Sequence, residues 1–210
     1  MVDLKKLLDT MEREAKKRNA PAFKFKAKNP YESLIMAILS SRTRDEVTIE
    51  IGKRLLSKAP NPETLAKLDI KEIEDLIRGI GFYRVKARKL KELAEIIVNK
   101  YKSKIPLKFE ELIKLPGVGR KTANIVISAF GGKAIAVDTH VHRIANRIGL
   151  VDTEKPEETE EELKKLFPEE LWNRVNKAFV GFGQTICKPR KPLCNECPIR
   201  DICKSYKLKR

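Results

Sequence analysis

The four cysteines of the chain, Cys187, Cys194, Cys197 and Cys203, all fall within 17 positions near its end. Their spacing is C-x6-C-x2-C-x5-C. Thiolates are soft ligands, and four of them in one short segment read as a metal site rather than as core residues. Zinc and iron–sulfur clusters both accept four cysteines, and spacing alone leaves zinc slightly ahead.

A second group of residues lies upstream, in Leu115-Pro116-Gly117-Val118-Gly119-Arg120-Lys121-Thr122-Ala123. A Gly-x-Gly turn between two helices lets the backbone approach another molecule closely. Amide groups at the start of the following helix then point outward, toward an anion. A DNA phosphate fits there, held by backbone rather than by side chain, without any reading of base sequence. Lys121 carries an amine that, when neutral, is a nucleophile able to form a Schiff base with a sugar aldehyde carbon. Asp138 follows an apolar run and precedes a helical one. Its carboxylate can take a proton from an amine or stabilise positive charge on a sugar ring. On residue chemistry alone each group also has a plainer role: Lys121 as a phosphate contact, Asp138 as a helix cap.

The scaffold that must hold these groups reads as helical throughout. Leu4, Leu7, Leu8, Met11 and Ala15 keep a helical period behind Asp3. Asn29-Pro30-Tyr31-Glu32 places a cap, a first-turn proline and an acid before Leu34, Ile35, Ile38 and Leu39. Thr43-x-x-Glu46 predicts a capping box for the next helix, and Asp69-x-x-Glu72 another. Further helical runs are predicted over 85–101, 109–114, 120–130, 139–148, 157–166 and 169–182. Strand alternation is nearly absent, and Lys133–Val137 reads as a connector. One segment echoes another. Glu74-Asp75-Leu76-Ile77-Arg78 leads into Gly79-Ile80-Gly81, much as Glu110-Glu111-Leu112-Ile113-Lys114 leads, through Leu115-Pro116, into Gly117-Val118-Gly119.

Lys plus Arg number 45 against 29 for Asp plus Glu, a formal charge of +16. That excess points to a polyanion, with nucleic acid the first candidate. A Lys- and Glu-rich thermophilic surface with a single glutamine, Gln184, is a compatible reading. The charge is uneven: residues 154–170 are rich in Glu, whereas 84–91 and 188–210 are basic, as expected of a molecule with one basic face. No apolar stretch approaches the length of a membrane span. The opening MVDLKKLLDT carries acids and lacks a signal-peptide core, so the expected location is intracellular, in cytoplasm or nucleoid.

The segment from Leu115 to Ala123 resembles the helix-hairpin-helix of the endonuclease III family of DNA glycosylases. Ala136-Val137-Asp138-Thr139-His140-Val141 resembles that family's Val-Asp-Thr-His segment, and the four-cysteine spacing is like its [4Fe-4S] motif. The resemblance runs from about Tyr31 to Cys203. It implies a bifunctional DNA glycosylase and abasic-site lyase that removes oxidised pyrimidines from duplex DNA. In that scheme Lys121 is the nucleophile, Asp138 the catalytic carboxylate, and Cys187, Cys194, Cys197 and Cys203 hold a structural [4Fe-4S] cluster. Gly117, Val118, Gly119 and Arg120 hold the DNA backbone, and Lys188 and Lys191 face phosphates beside the cluster. Two loops fill the gap left by an extruded base. One carries Arg42, where the family usually has glutamine. The other carries Phe82 as a wedge, with Arg84 or Lys86 on a phosphate. Asp45 resembles an acidic position near the pocket, and His140 helps to shape the cleft.

The expected fold is all-α, with two helical domains and a cleft between them. Residues 23–133 form a six-helix domain containing the hairpin; residues 1–22 and 134–210 form the cluster domain. The expected partner is double-stranded DNA with damaged bases or abasic sites, bound by a monomer away from any membrane. Two other functions stay open: a glycosylase for thymine or uracil opposite guanine, and a non-catalytic iron–sulfur sensor of damage.

Overall fold

The computed structural model describes residues 2–208; Met1, Lys209 and Arg210 lie outside the described residues, the last two having been counted in the basic tail. Among the described residues the chain is built from α-helices and short 3-10 turns, with no strand. It divides into two units, a continuous one over residues 27–132 and a discontinuous one made from 1–26 and 133–210. Residues 23–26 and residue 133 thus go with the discontinuous unit. The Phe23 ring lies under the ammonium groups of both Lys16 and Lys177, at 5.3 and 5.0 Å.

The continuous unit holds α2 (Pro30–Ser40), α3 (Asp45–Lys58), α4 (Pro62–Lys67), α5 (Ile70–Leu76), α6 (Tyr83–Tyr101), α7 (Phe109–Leu112) and α8 (Arg120–Ala129), numbered after α1 (Leu4–Lys17) of the other unit. That is seven helical pieces rather than six, α7 being a single turn. Helix α2 is its axis. Tyr31 and every residue from Ser33 to Leu39 are buried, and α3, α6 and α8 pack around it. A helix apolar on all sides must be enclosed in this way. The Tyr31 hydroxyl reaches the Ala59 carbonyl at 2.9 Å.

Polar groups fix where these helices begin and end. Asn29 accepts from the Glu32 amide at 2.9 Å, and Asp69 with Glu72 forms the expected capping box. The capping box expected at Thr43 does not form. Helix α3 starts two residues later, behind Arg44, with no side-chain cap. At the other ends, carbonyls left without helical partners receive cations from neighbouring helices. Arg54 of α3 closes α5 through the carbonyls of Leu76 and Arg78, at 2.7 and 3.2 Å. Lys91 of α6 closes α4 through Ala66, and Lys86 of α6 closes α2 through Leu39 and Ser41.

The discontinuous unit holds α1, α9 (Thr139–Ile148), α10 (Pro156–Leu166), α11 (Trp172–Thr185) and the short α12 (Lys204–Lys207). The run expected over 169–182 is split: a 3-10 turn over Glu169–Leu171 follows Pro168, and α11 begins at Trp172. Helix α11 packs on α1 and α9. Leu8, Met11, Val141, Ile144, Val175, Phe179 and Phe182 make the core between them. The connector over 134–137 is buried, with Ile135 and Val137 in this core. No helix among the described residues is long and apolar enough to cross a membrane.

Phe179 is fully buried at the centre of that core. Phe179→Ala should lower stability by about 3–5 kcal/mol in denaturant unfolding, because the cavity it leaves cannot collapse.

Candidate functional site

The hairpin closes as its glycines require. Gly117 takes φ +79°, a conformation in which glycine is favoured. The Val118 amide donates to the Leu115 carbonyl at 3.1 Å, and the Val118 side chain is buried. The Val118 amide and side chain thus both serve the turn. Gly119 is different. Its φ is −99°, which any residue adopts, and a Cβ placed on it would meet nothing within 4 Å. Nothing in the fold itself asks for glycine at 119. A partner approaching closely from outside would. Arg120 and Lys121 occupy the first turn of α8, directly after Gly119. The Arg120 guanidinium stacks on Phe109 at 5.4 Å.

The echoing hairpin has the same turn. Ile80 donates to the Ile77 carbonyl at 3.0 Å, Gly79 takes φ +104°, and Ile77 and Ile80 are buried as Leu115 and Val118 are. Gly81 stands where Gly119 stands, but its open side is filled from within. A Cβ there would lie 2.5 Å from the Arg42 carbonyl oxygen. The Gly81 amide donates to the Thr43 hydroxyl at 3.0 Å, so Thr43 ties two loops instead of capping a helix. These loops carry the two candidate gap-filling residues. Arg42 and Phe82 both take left-handed backbone conformations, at φ 54° and 58°. The Arg42 guanidinium lies 5.3 Å from the centre of the Phe82 ring. Phe82 is 61% exposed, so it is a surface ring and no part of the core. Arg84 is exposed and stacks on Tyr83. Lys86 is buried, and both its recorded bonds run to carbonyls of the 39–41 segment. It is not a phosphate contact. Burial pushes its ammonium down to a pKa of about 8. Asp45 opens α3.

Asp138 caps α9. Its Oδ1 accepts from the amides of His140 and Val141, both at 2.9 Å. The cap fixes the carboxylate at the head of a helix whose further turns grip the cysteine segment. From α9, Arg143 donates to the Cys187 carbonyl at 2.9 Å and to His140 Nδ1 at 3.2 Å. Arg147 donates to the carbonyls of Lys188 and Pro189, at 2.8 and 2.9 Å, and reaches Cys187 Sγ at 3.6 Å. Sequence reasoning missed both arginines. Their spacing of four residues on one helix was visible, but their acceptors were not. With the 187–189 backbone held, Lys188, Arg190 and Lys191 stand exposed. His142 bonds Thr159 at 2.6 Å, a structural role.

All four cysteines line one cavity of about 420 Å³, together with Arg147, Phe182 and Tyr206. Among the described residues no three His, Cys, Asp or Glu side chains converge as ligands of a single ion. The thiols instead surround a space suited to a multi-atom group. Burial pushes the Cys197 thiol up to a pKa of about 11, and the three other thiols add to the shift. Thiolates gathered around one cavity repel one another and need a cationic core between them. The donor set therefore fits an iron–sulfur cluster.

Residues 35–169 match the family model described as HhH-GPD superfamily base excision DNA repair protein. The chain belongs to this family. Residues 187–203, the span of the four cysteines, match the iron-sulfur binding domain of endonuclease III. Among HhH-GPD relatives, the endonuclease III of Thermotoga maritima is 51% identical over 87% of this chain and 86% of its own length. An endonuclease III homologue of Encephalitozoon cuniculi is 40% identical, over 88% and 83%. A solved structure of a trapped endonuclease III–DNA covalent intermediate, an estranged-adenine complex, superposes with a TM-score of 0.86 at 36% identity, covering 100% of this chain and 99% of that one. A thermostable thymine-DNA glycosylase gives 0.83 at 29% identity, covering 96% and 94%.

Gly81→Ala should destabilise the protein by about 1–3 kcal/mol, since its Cβ meets backbone that cannot swing aside; thermal unfolding measures this. Cys203→Ala should remove the brown colour and the bound iron and lower the unfolding midpoint, as expected where metal binding contributes to folding. Iron analysis and a melting curve check both.

Proposed function

We propose that the protein is a bifunctional DNA glycosylase and abasic-site lyase of base-excision repair, acting on oxidised pyrimidines in duplex DNA. The observation that carries the reading is Lys121 in the first turn after the hairpin, in a chain 51% identical to an endonuclease III. The likeness to a trapped covalent DNA intermediate supports it further. The protein works as a monomer in the compartment that holds the DNA, cytoplasm or nucleoid.

The hairpin meets a phosphate through the open side of Gly119 and the cation of Arg120, and so holds the strand whatever its sequence. Gly117 shapes that turn. Arg84, Lys188 and Lys191 add phosphate contacts that strengthen binding and make it salt-dependent. The damaged nucleotide is rotated out of the stack. Arg42 and Phe82 take its place, and an exposed aromatic ring beside a guanidinium suits that task.

Lys121 then attacks C1′. The new N–C1′ bond forms as the C1′–base bond breaks, and the base leaves with a proton. The sugar ring opens to a protonated imine. Loss of the C2′ proton pushes electrons toward C3′, and the C3′–oxygen bond breaks, leaving the phosphate on the 5′ end of the downstream strand; water then hydrolyses the imine and frees the Lys121 amine. Asp138 is the carboxylate of this scheme, stabilising the positive sugar as the base departs. Cys187, Cys194, Cys197 and Cys203 would hold the cluster, whose contribution is to fold the basic loop rather than to react.

The likeness to a thymine-DNA glycosylase favours a second reading, removal of thymine or uracil opposite guanine. A duplex with one thymine glycol, incubated with the protein and borohydride, separates the two. The wild type should give a covalent adduct that Lys121→Ala abolishes. Trapping on a thymine opposite guanine, with thymine glycol left intact, would favour the second reading. Tight binding without any adduct would leave a non-catalytic damage sensor.

A further inference from the structure

Lys86 is a charged residue in a place where charge is unfavourable. The residue is only 8% exposed. An apolar side chain of equal length would fill the same space without desolvating an ammonium group. What an apolar residue would lack is the pair of bonds from Nζ to the carbonyls of Leu39 and Ser41. These carbonyls lie where α2 runs out, so they have no partner further along the helix. The residue next in the chain is Arg42. Lys86 itself stands in the first turn of α6, whose N-cap is Phe82. One side chain thus binds the base of the Arg42 loop to the base of the Phe82 turn. Two more contacts join the loops nearer their tips: the Gly81 amide on Thr43, and Gly81 packed on the Arg42 carbonyl. The two exposed side chains then meet as guanidinium on ring.

We propose that Lys86 is a positioning residue: its buried ammonium locks the two loops together, so that Arg42 and Phe82 enter the duplex as one preassembled wedge. The inference rests on the gap-filling role given to those two residues. A wedge whose halves are already ordered loses little further freedom on insertion. Halves that moved independently would have to be ordered at the same moment as the base is extruded. Lys86 touches neither DNA nor the reacting atoms, and it acts on the extrusion step alone.

The test compares wild type with Lys86→Met and Lys86→Arg in single-turnover excision of one lesion from two duplexes. In the first the lesion stands opposite a normal base. In the second it stands opposite a tetrahydrofuran abasic site, which leaves no partner base to be orphaned. Lys86→Met should slow the first reaction about 10- to 100-fold, the scale of loss seen when a positioned group shifts by about an ångström. The second should change by less than about threefold, and Lys86→Arg should recover part of the loss. Exchange of the Gly81 amide, measured by NMR, should quicken in Lys86→Met. Equal slowing on both duplexes would mean a general structural role and overturn the proposal, as would no slowing on either. Unchanged Gly81 exchange would overturn it as well. A double variant, Arg42→Ala with Phe82→Ala, isolates the reading beneath. If it matches wild type on the first duplex, the wedge itself is wrong and the role of Lys86 falls with it. If only Lys86→Met matches wild type, the wedge stands and the lock alone is refuted.

Discussion

The first four amides and the last four carbonyls of an α-helix have no partners inside it. In a molecule of short helices such ends are many, and burying them unpaired would cost about as much as losing a hydrogen bond each. This chain closes them with side chains of the matching polarity. Asp3, Asn29, Asp69 and Asp138 sit at helix starts, and cations from adjacent helices reach carbonyls at the ends of α2, α4 and α5. The same groups that complete the backbone also bear on the chemistry. Asp138 is a cap and a carboxylate in one. The start of α8, left without a side-chain cap, turns toward the outside.

The cysteine segment shows the constraint in its extreme form. Between α11 and α12 it contains 3-10 turns alone, and little of it is buried beyond Ile199. Such a segment cannot hold its shape by apolar packing. Arg143 and Arg147 bind its carbonyls from one side. On another, Arg18 of the discontinuous unit pairs with Glu196 at 2.8 Å. The four thiols and the group they enclose must supply the rest. Because the two arginines lie along α9, the cysteine segment and the capped Asp138 share one rigid element.

What the sequence made legible was local. The helical class, the Gly-x-Gly turn and its echo, most caps and the gathering of four thiols each rest on residues a few positions apart. What stayed hidden was the partner at long range. Thr43 looked like a helix cap because Glu46 stood three residues on, yet its hydroxyl serves Gly81, 38 residues away. Lys86 looked like a surface cation in a basic run, and its carbonyl partners lie 45 and 47 residues back. Arg143 and Arg147 find their acceptors more than 40 residues downstream. Side chains with several rotamers and strong donors satisfy whatever the tertiary fold brings near, and no local pattern encodes that choice.

The two hairpins place a glycine at the same point of the same turn, and the space beside each is used differently. Beside Gly81 lies the chain's own carbonyl; beside Gly119 lies nothing of the protein. Substitutions at the two sites would therefore be judged by different parties. At 81 the folded protein itself resists a side chain, and selection for a stable fold suffices to keep glycine there. At 119 the fold is indifferent, so a screen that scores only melting temperature or soluble yield would let variants through. Stability engineering of this scaffold could erode its grip on its partner without any warning from the assay that guides it.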